Sequence, residues 1–167
     1  MIPIELRVAN PRWSIVYSIA MGTVLEKGRR GLYHEMVDSA GLVTVRFGCY
    51  SWASESEDVY YCGSFSKDYA RGNFNSNLHG RLHNYLQNHR EKESGSKNTN
   101  LVVFENINSL LVSTGVRFQH LEFDTIEIGG ESVSFQQYCN DANLVKAVEP
   151  LLISSYRRVG QCEWNRS

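Results

Sequence analysis

Apolar positions recur along this chain at two spacings, and the switches between them predict its elements. Between residues 11 and 38, Trp13, Val16, Ile19, Ala20 and Val24 fall at intervals that suit a helix better than alternation. A second short helix is expected over 30–37, before Gly41 interrupts. Residues 42–52 and 59–65 are rich in Val, Tyr and Phe and read as strands, joined across the polar run 53–58 as a hairpin. Leu78, Leu82, Tyr85, Leu86 and His89 make one stripe of an amphipathic helix that Ser76 can cap and that ends near Arg90. The polar stretch 91–100 reads as a loop.

Further along, 101–104 reads as a strand, 106–113 as a short helix, and 116–128 as one or two strands closed by the Gly129-Gly130 turn. The last helix is expected over 141–156, with Leu144, Val148, Leu151 and Leu152 facing inward. Pro150 lies inside that pattern and is expected to kink it or start a new helix. This order predicts an α+β (mixed α/β) fold: a small central sheet built on a hairpin and flanked by helices. A single domain over 1–167 is expected, with a helical extension over 1–40 and a core over 42–165.

The 167 residues suffice for one domain with a buried core, and 42% apolar content with three prolines argues for a compact chain. Apolar runs fall far short of a membrane span and the start lacks a signal-like pattern, so a cytoplasmic protein without membrane contact is expected. Cys49, Cys62, Cys139 and Cys162 show no zinc-ligand spacing and are expected as buried, reduced thiols. A formal net charge of −1 argues against general affinity for nucleic acid. Local basic groups survive the average: Lys27 with Arg29 and Arg30, His89 and Arg90 with Lys92 and Lys97, and Arg157-Arg158 leading to Arg166.

The strings that could carry chemistry follow one another in order. Gly48-Cys49-Tyr50 and Tyr61-Cys62-Gly63 sit in the two expected hairpin strands. Arg81-Leu82-His83-Asn84-Tyr85 places Arg81 and Tyr85 on one helix face, at the border of the apolar stripe. Glu149 borders the stripe of the last helix and precedes Leu151-Leu152-Ile153, Arg157-Arg158 and Asn165. His79 and His83 flank Arg81 and lie off the stripe.

Taken in this order, the strings resemble the signature of the GIY-YIG nucleases, over residues 48 to 165. The resemblance implies a metal-dependent DNA endonuclease with named roles. Tyr61 would take the proton from water, although roughly one free phenol in a thousand is ionised at neutral pH. Arg81 would bind the scissile phosphate through two parallel hydrogen bonds and favour the Tyr61 phenolate. Glu149 would hold a single Mg²⁺ (or Mn²⁺) that stabilises the departing oxygen. Tyr50 and Tyr85 would position phosphate or water, and Asn165 would support the site. Ser64 stands where several relatives have a lysine, and Lys67 is the nearest substitute. Arg71 rivals Arg81, being at the spacing of shorter relatives.

Without a separate DNA-binding domain, recognition would fall to the first forty or so residues and to insertions near 66–77 and 91–137. That organisation resembles a type II restriction endonuclease, which implies double-stranded DNA as partner and a homodimer. A structure-selective or nicking repair endonuclease with the same residues is the alternative. A third reading is an inactive module that only binds.

Overall fold

The computed structural model describes residues 6–25, 45–66, 77–86 and 99–165. Its elements, in chain order, are β1 (Leu6–Ala9), β2 (Arg12–Ile19), β3 (Gly48–Ser54), β4 (Val59–Phe65), α1 (Asn77–Leu86), α2 (Thr99–Leu110), β5 (Val116–Glu122), β6 (Thr125–Ile128), β7 (Glu131–Ser134), α3 (Phe135–Tyr138) and α4 (Ala142–Arg157). The fold is α+β, as the pattern predicts. Four strands form an antiparallel sheet in the order β2-β5-β3-β4, and three form a second in the order β1-β6-β7. Among the described residues, no helix is long and apolar enough to cross a membrane.

The larger sheet has helices on both faces. Leu78, Leu82, Tyr85 and Leu86 of α1 and Leu101, Phe104 and Ile107 of α2 pack on Tyr50, Trp52, Phe65 and Phe118. On the other face, Val145 and Val148 of α4 join Cys49, Leu121 and Tyr138, and Leu152 packs near Ala53 and Cys62. Asp141 caps α4 through the Leu144 amide. The helix runs through Pro150 as one element, so no new helix begins there. Pro150 and Lys146 are both exposed, and water can bond the carbonyl that a prolyl nitrogen cannot reach.

Four expectations are corrected. The stretch expected as an N-terminal helix contains β2, because its spacing of three comes from a β-bulge. Register skips one residue between Ile15 and Tyr17, so Val16 and Ile19 are both buried without helical geometry. Residues 101–104 lie in α2, not in a strand. Val102, Val103 and Phe104 favour strand locally, but burial at Leu101, Phe104, Ile107 and Leu111 is helical. The short helix expected over 106–113 is the end of this same helix, with Leu111 to Ser113 in the turn that follows. Finally, β5 comes from a stretch expected as an insertion, yet it lies between β2 and β3.

The hairpin, α1 and the last helix fall where the pattern places them, with β3 beginning at Gly48 and continuing through Ala53 and Ser54. The expected helix at 30–37, strand residues 42–44, the Ser76 cap and residues 87–90 lie outside the described residues.

Candidate active site

Side chains alternate between the faces of β3 and β4. Tyr50 pairs with Gly63, Trp52 with Tyr61 and Gly48 with Phe65. A Cβ on Gly63 would lie 2.5 Å from Tyr50 Cζ, and one on Gly48 would lie 2.9 Å from Phe65 Cζ. Each glycine thus makes room for the ring of the opposite strand. This reciprocity is a physical reason for the two strings, Gly-x-Tyr answered by Tyr-x-Gly.

The structure brings Tyr50, Tyr61 and Tyr85 together. The Tyr50 and Tyr85 hydroxyls are 2.6 Å apart and hydrogen-bonded. Tyr61 lies 5.9 Å from Tyr85 and 6.4 Å from Tyr50 between ring centroids. Phe118 and Trp52 pack against Tyr50 and Tyr85 respectively, at 5.1 and 5.8 Å. Tyr85 is placed there by α1, whose Leu78, Leu82 and Leu86 are buried in the same core. Arg81 lies one turn earlier on this helix, half-buried, and its charge favours ionisation of both Tyr50 and Tyr61.

The three phenols are not alike. Burial raises Tyr50 and Tyr85 strongly. Tyr61 is also raised, first by burial, while Tyr85, Arg81 and Tyr50 pull it down and Glu149 pushes it up. Tyr61 is therefore the phenol most ready to ionise, but its net shift is upward. Arg81 favours the Tyr61 phenolate as expected, but removing the ring from water outweighs the arginine.

Glu149 reaches the same strand from the other side. It is half-buried on α4, and Ser64 Oγ donates to its Oε2. By alternation Ser64 points away from the tyrosine face, so Glu149 lies across the sheet from the phenols. Its charge still acts on Tyr50 and Tyr61. β4 is the edge of its sheet, so the carboxylate and the phenols meet around one strand.

Asn165 holds that strand. Its Oδ1 accepts from the Cys62 amide at 2.9 Å and its Nδ2 donates to the Cys62 carbonyl at 2.8 Å. The asparagine amide thus bonds the edge backbone as a neighbouring strand would. Lys67 and Arg71 lie outside the described residues. His79, expected off the apolar stripe, is buried at 3% exposure, because α1 is covered by α2 as well as by the sheet. The Ser64–Glu149 bond could not be read from the sequence, where Ser64 stood out only as a departure.

Among the described residues, no group of three His, Cys, Asp or Glu side chains converges as in a metal cluster. Glu149 can nonetheless serve a hard cation that keeps most of its waters, since such a site needs only one or two carboxylates. Ser64 engages Oε2 and leaves Oε1. No family model matches the chain, nor does any curated protein or solved structure.

Proposed function

We propose that this chain is a metal-dependent endonuclease of the GIY-YIG type, hydrolysing phosphodiester bonds in double-stranded DNA. The observation that carries the reading is the meeting of Tyr50, Tyr61 and Tyr85 around one hairpin, with Arg81 and Glu149 both acting on the Tyr61 hydroxyl. Tyr61 takes the proton of the attacking water. Tyr85 and Tyr50 hold its hydroxyl, and Arg81 pairs with the phosphate while favouring the phenolate. Glu149 is the residue that would hold Mg²⁺ or Mn²⁺, which supplies charge neutralisation at the phosphate and leaving oxygen when bound. Asn165 fixes the backbone that presents Tyr61. Lys67 enters on the resemblance alone. Because the resting phenol is neutral, cleavage should accelerate as pH rises through the alkaline range, and a flat pH profile would exclude Tyr61 as base.

The finer reading is a type II restriction enzyme acting as a homodimer. It is tested by digesting long unmethylated phage DNA with Mg²⁺ beside a Glu149→Ala control. Discrete bands that vanish in the control support site-specific cleavage. A smear or nicks would replace that reading with the repair-type enzyme. Absence of cleavage with every divalent metal, with DNA binding retained, would leave a binding module.

A further inference from the structure

Directly behind Tyr61, on the α4 side of β4, two thiols meet. Cys62 and Cys162 are 100 residues apart in the chain, and their sulfurs are 3.4 Å apart. Both residues are completely buried. The second thiol is held firmly in place. Cys162 N donates to the Val59 carbonyl at 2.8 Å, Trp164 N donates to the Tyr60 carbonyl at 3.0 Å, and Asn165 brackets the Cys62 peptide. Trp164 also stacks on Tyr60, with ring centroids 4.9 Å apart. Cys162 takes the left-handed backbone conformation, with φ of 57°, which few residues other than glycine adopt. The remaining thiols have other surroundings; Cys49 accepts a hydrogen bond from Tyr138 at 3.2 Å.

We propose that Cys62 and Cys162 form a modification site, a vicinal dithiol in space that a hydroperoxide converts reversibly to a disulfide. With hydrogen peroxide as the oxidant, the Cys162 sulfur attacks one peroxide oxygen and the O–O bond breaks, which gives a sulfenic acid and one water; an alkyl hydroperoxide would release its alcohol in place of that water. The Cys62 sulfur then attacks the sulfenic sulfur, the S–O bond breaks, and a second water leaves as the S–S bond forms. Two thiols lose two electrons and two protons, and the peroxide takes up both. Cys162 is the first nucleophile: the Cys62 thiol and, secondarily, Arg157 favour its thiolate, whereas the same hydrogen bond and burial push Cys62 up. Gly160 and Glu163 beside it are exposed, so opening this short segment admits the oxidant. The new bond fastens the segment around Cys162 to the edge strand. It depends on no part of the nuclease reading.

The test is peroxide treatment of the full chain, alkylation of remaining thiols, and peptide mapping without reductant. A Cys62–Cys162 linked peptide that dithiothreitol removes is expected, with Cys49 and Cys139 alkylated. The oxidised protein should melt several degrees higher, roughly 5 °C or more, because the bond closes a long loop. Cys162→Ser should abolish both the linked peptide and the rise; the wild-type map decides the matter even where that variant folds poorly. Overturning results are oxidation only at Cys49 or Cys139, cross-links only between molecules, sulfinic acid without a linked peptide, or no oxidation of any cysteine.

Discussion

On the α1–α2 side of the β3–β4 hairpin lie Tyr50, Trp52, Tyr61 and Phe65; on the α4 side lie Cys49, Cys62 and Ser64. The first face is built from large rings, and it fits them by placing Gly48 and Gly63 opposite two of them. The second face uses small side chains, which let α4 approach closely and bring Glu149 to Ser64. Both sets come from the same two strands, alternating residue by residue. The strands thus answer two packing demands at once, and polar groups gather where the faces meet at the edge strand. Phenols occupy one side, and a carboxylate and a thiol pair occupy the other.

The difference can be broken most severely at Gly63. Gly63→Ala drives a methyl into the Tyr50 ring and should destabilise the protein by about 3 kcal/mol or more. The equivalent small-to-small change on the other face, Cys62→Ala, should cost less. Urea denaturation measures both, and equal costs would show that the tyrosine face is no more tightly packed.

His120 sharpens the contrast on the tyrosine side, where it pairs with Tyr50. Its Nε2 is buried without a hydrogen-bond partner, and its ring packs on Phe65 and Phe135. Burial lowers its pKa from 6.5 to about 4, despite Glu122 at 3.9 Å from Nδ1. Between those values the unfolded chain binds a proton that the folded chain does not. Stability from this group is therefore complete above pH 6.5 and is lost as pH falls toward 4, by about 3 kcal/mol in total. His120→Phe should flatten the curve over that range, and an unchanged acid dependence would remove His120 as its source.

The smallest effect concerns the Tyr50–Tyr85 hydrogen bond. Tyr50→Phe and Tyr85→Phe should each cost about 1 kcal/mol, with the double variant costing less than their sum. Strict additivity in denaturant melts would mean that the two hydroxyls do not interact.

Which parts of this were legible beforehand follows from local physics. The hairpin was, since glycine and aromatic residues crowd both strands, and so was α1, whose Leu78, Leu82, Tyr85 and Leu86 keep one period. β2 was not, because the bulge at Val16 turns alternation into a false helical spacing. The start of α2 was not, because a four-residue apolar run has no period of its own. β1, β7 and α3 have four residues each, too few to show a pattern. At the site, the convergence of Tyr50, Tyr61 and Tyr85 was expected from the order of motifs. The upward shift of Tyr61 was not, because it depends on how deeply α1 and the sheet bury the ring. The placing of Glu149 across the sheet depends on the pairing of α4 with β4, which no local string encodes.

On the proposed reading, Tyr61 is the base for cleavage at the edge strand, with Glu149 on the opposite face. The most direct measurement is single-turnover cleavage of duplex DNA by Tyr61→Phe, beside its thermal melt. The substitution removes one hydroxyl from a half-buried ring. A melt close to wild type with cleavage slower by about a hundredfold or more is the predicted result. Cleavage at the wild-type rate by a normally folded Tyr61→Phe protein would contradict the account.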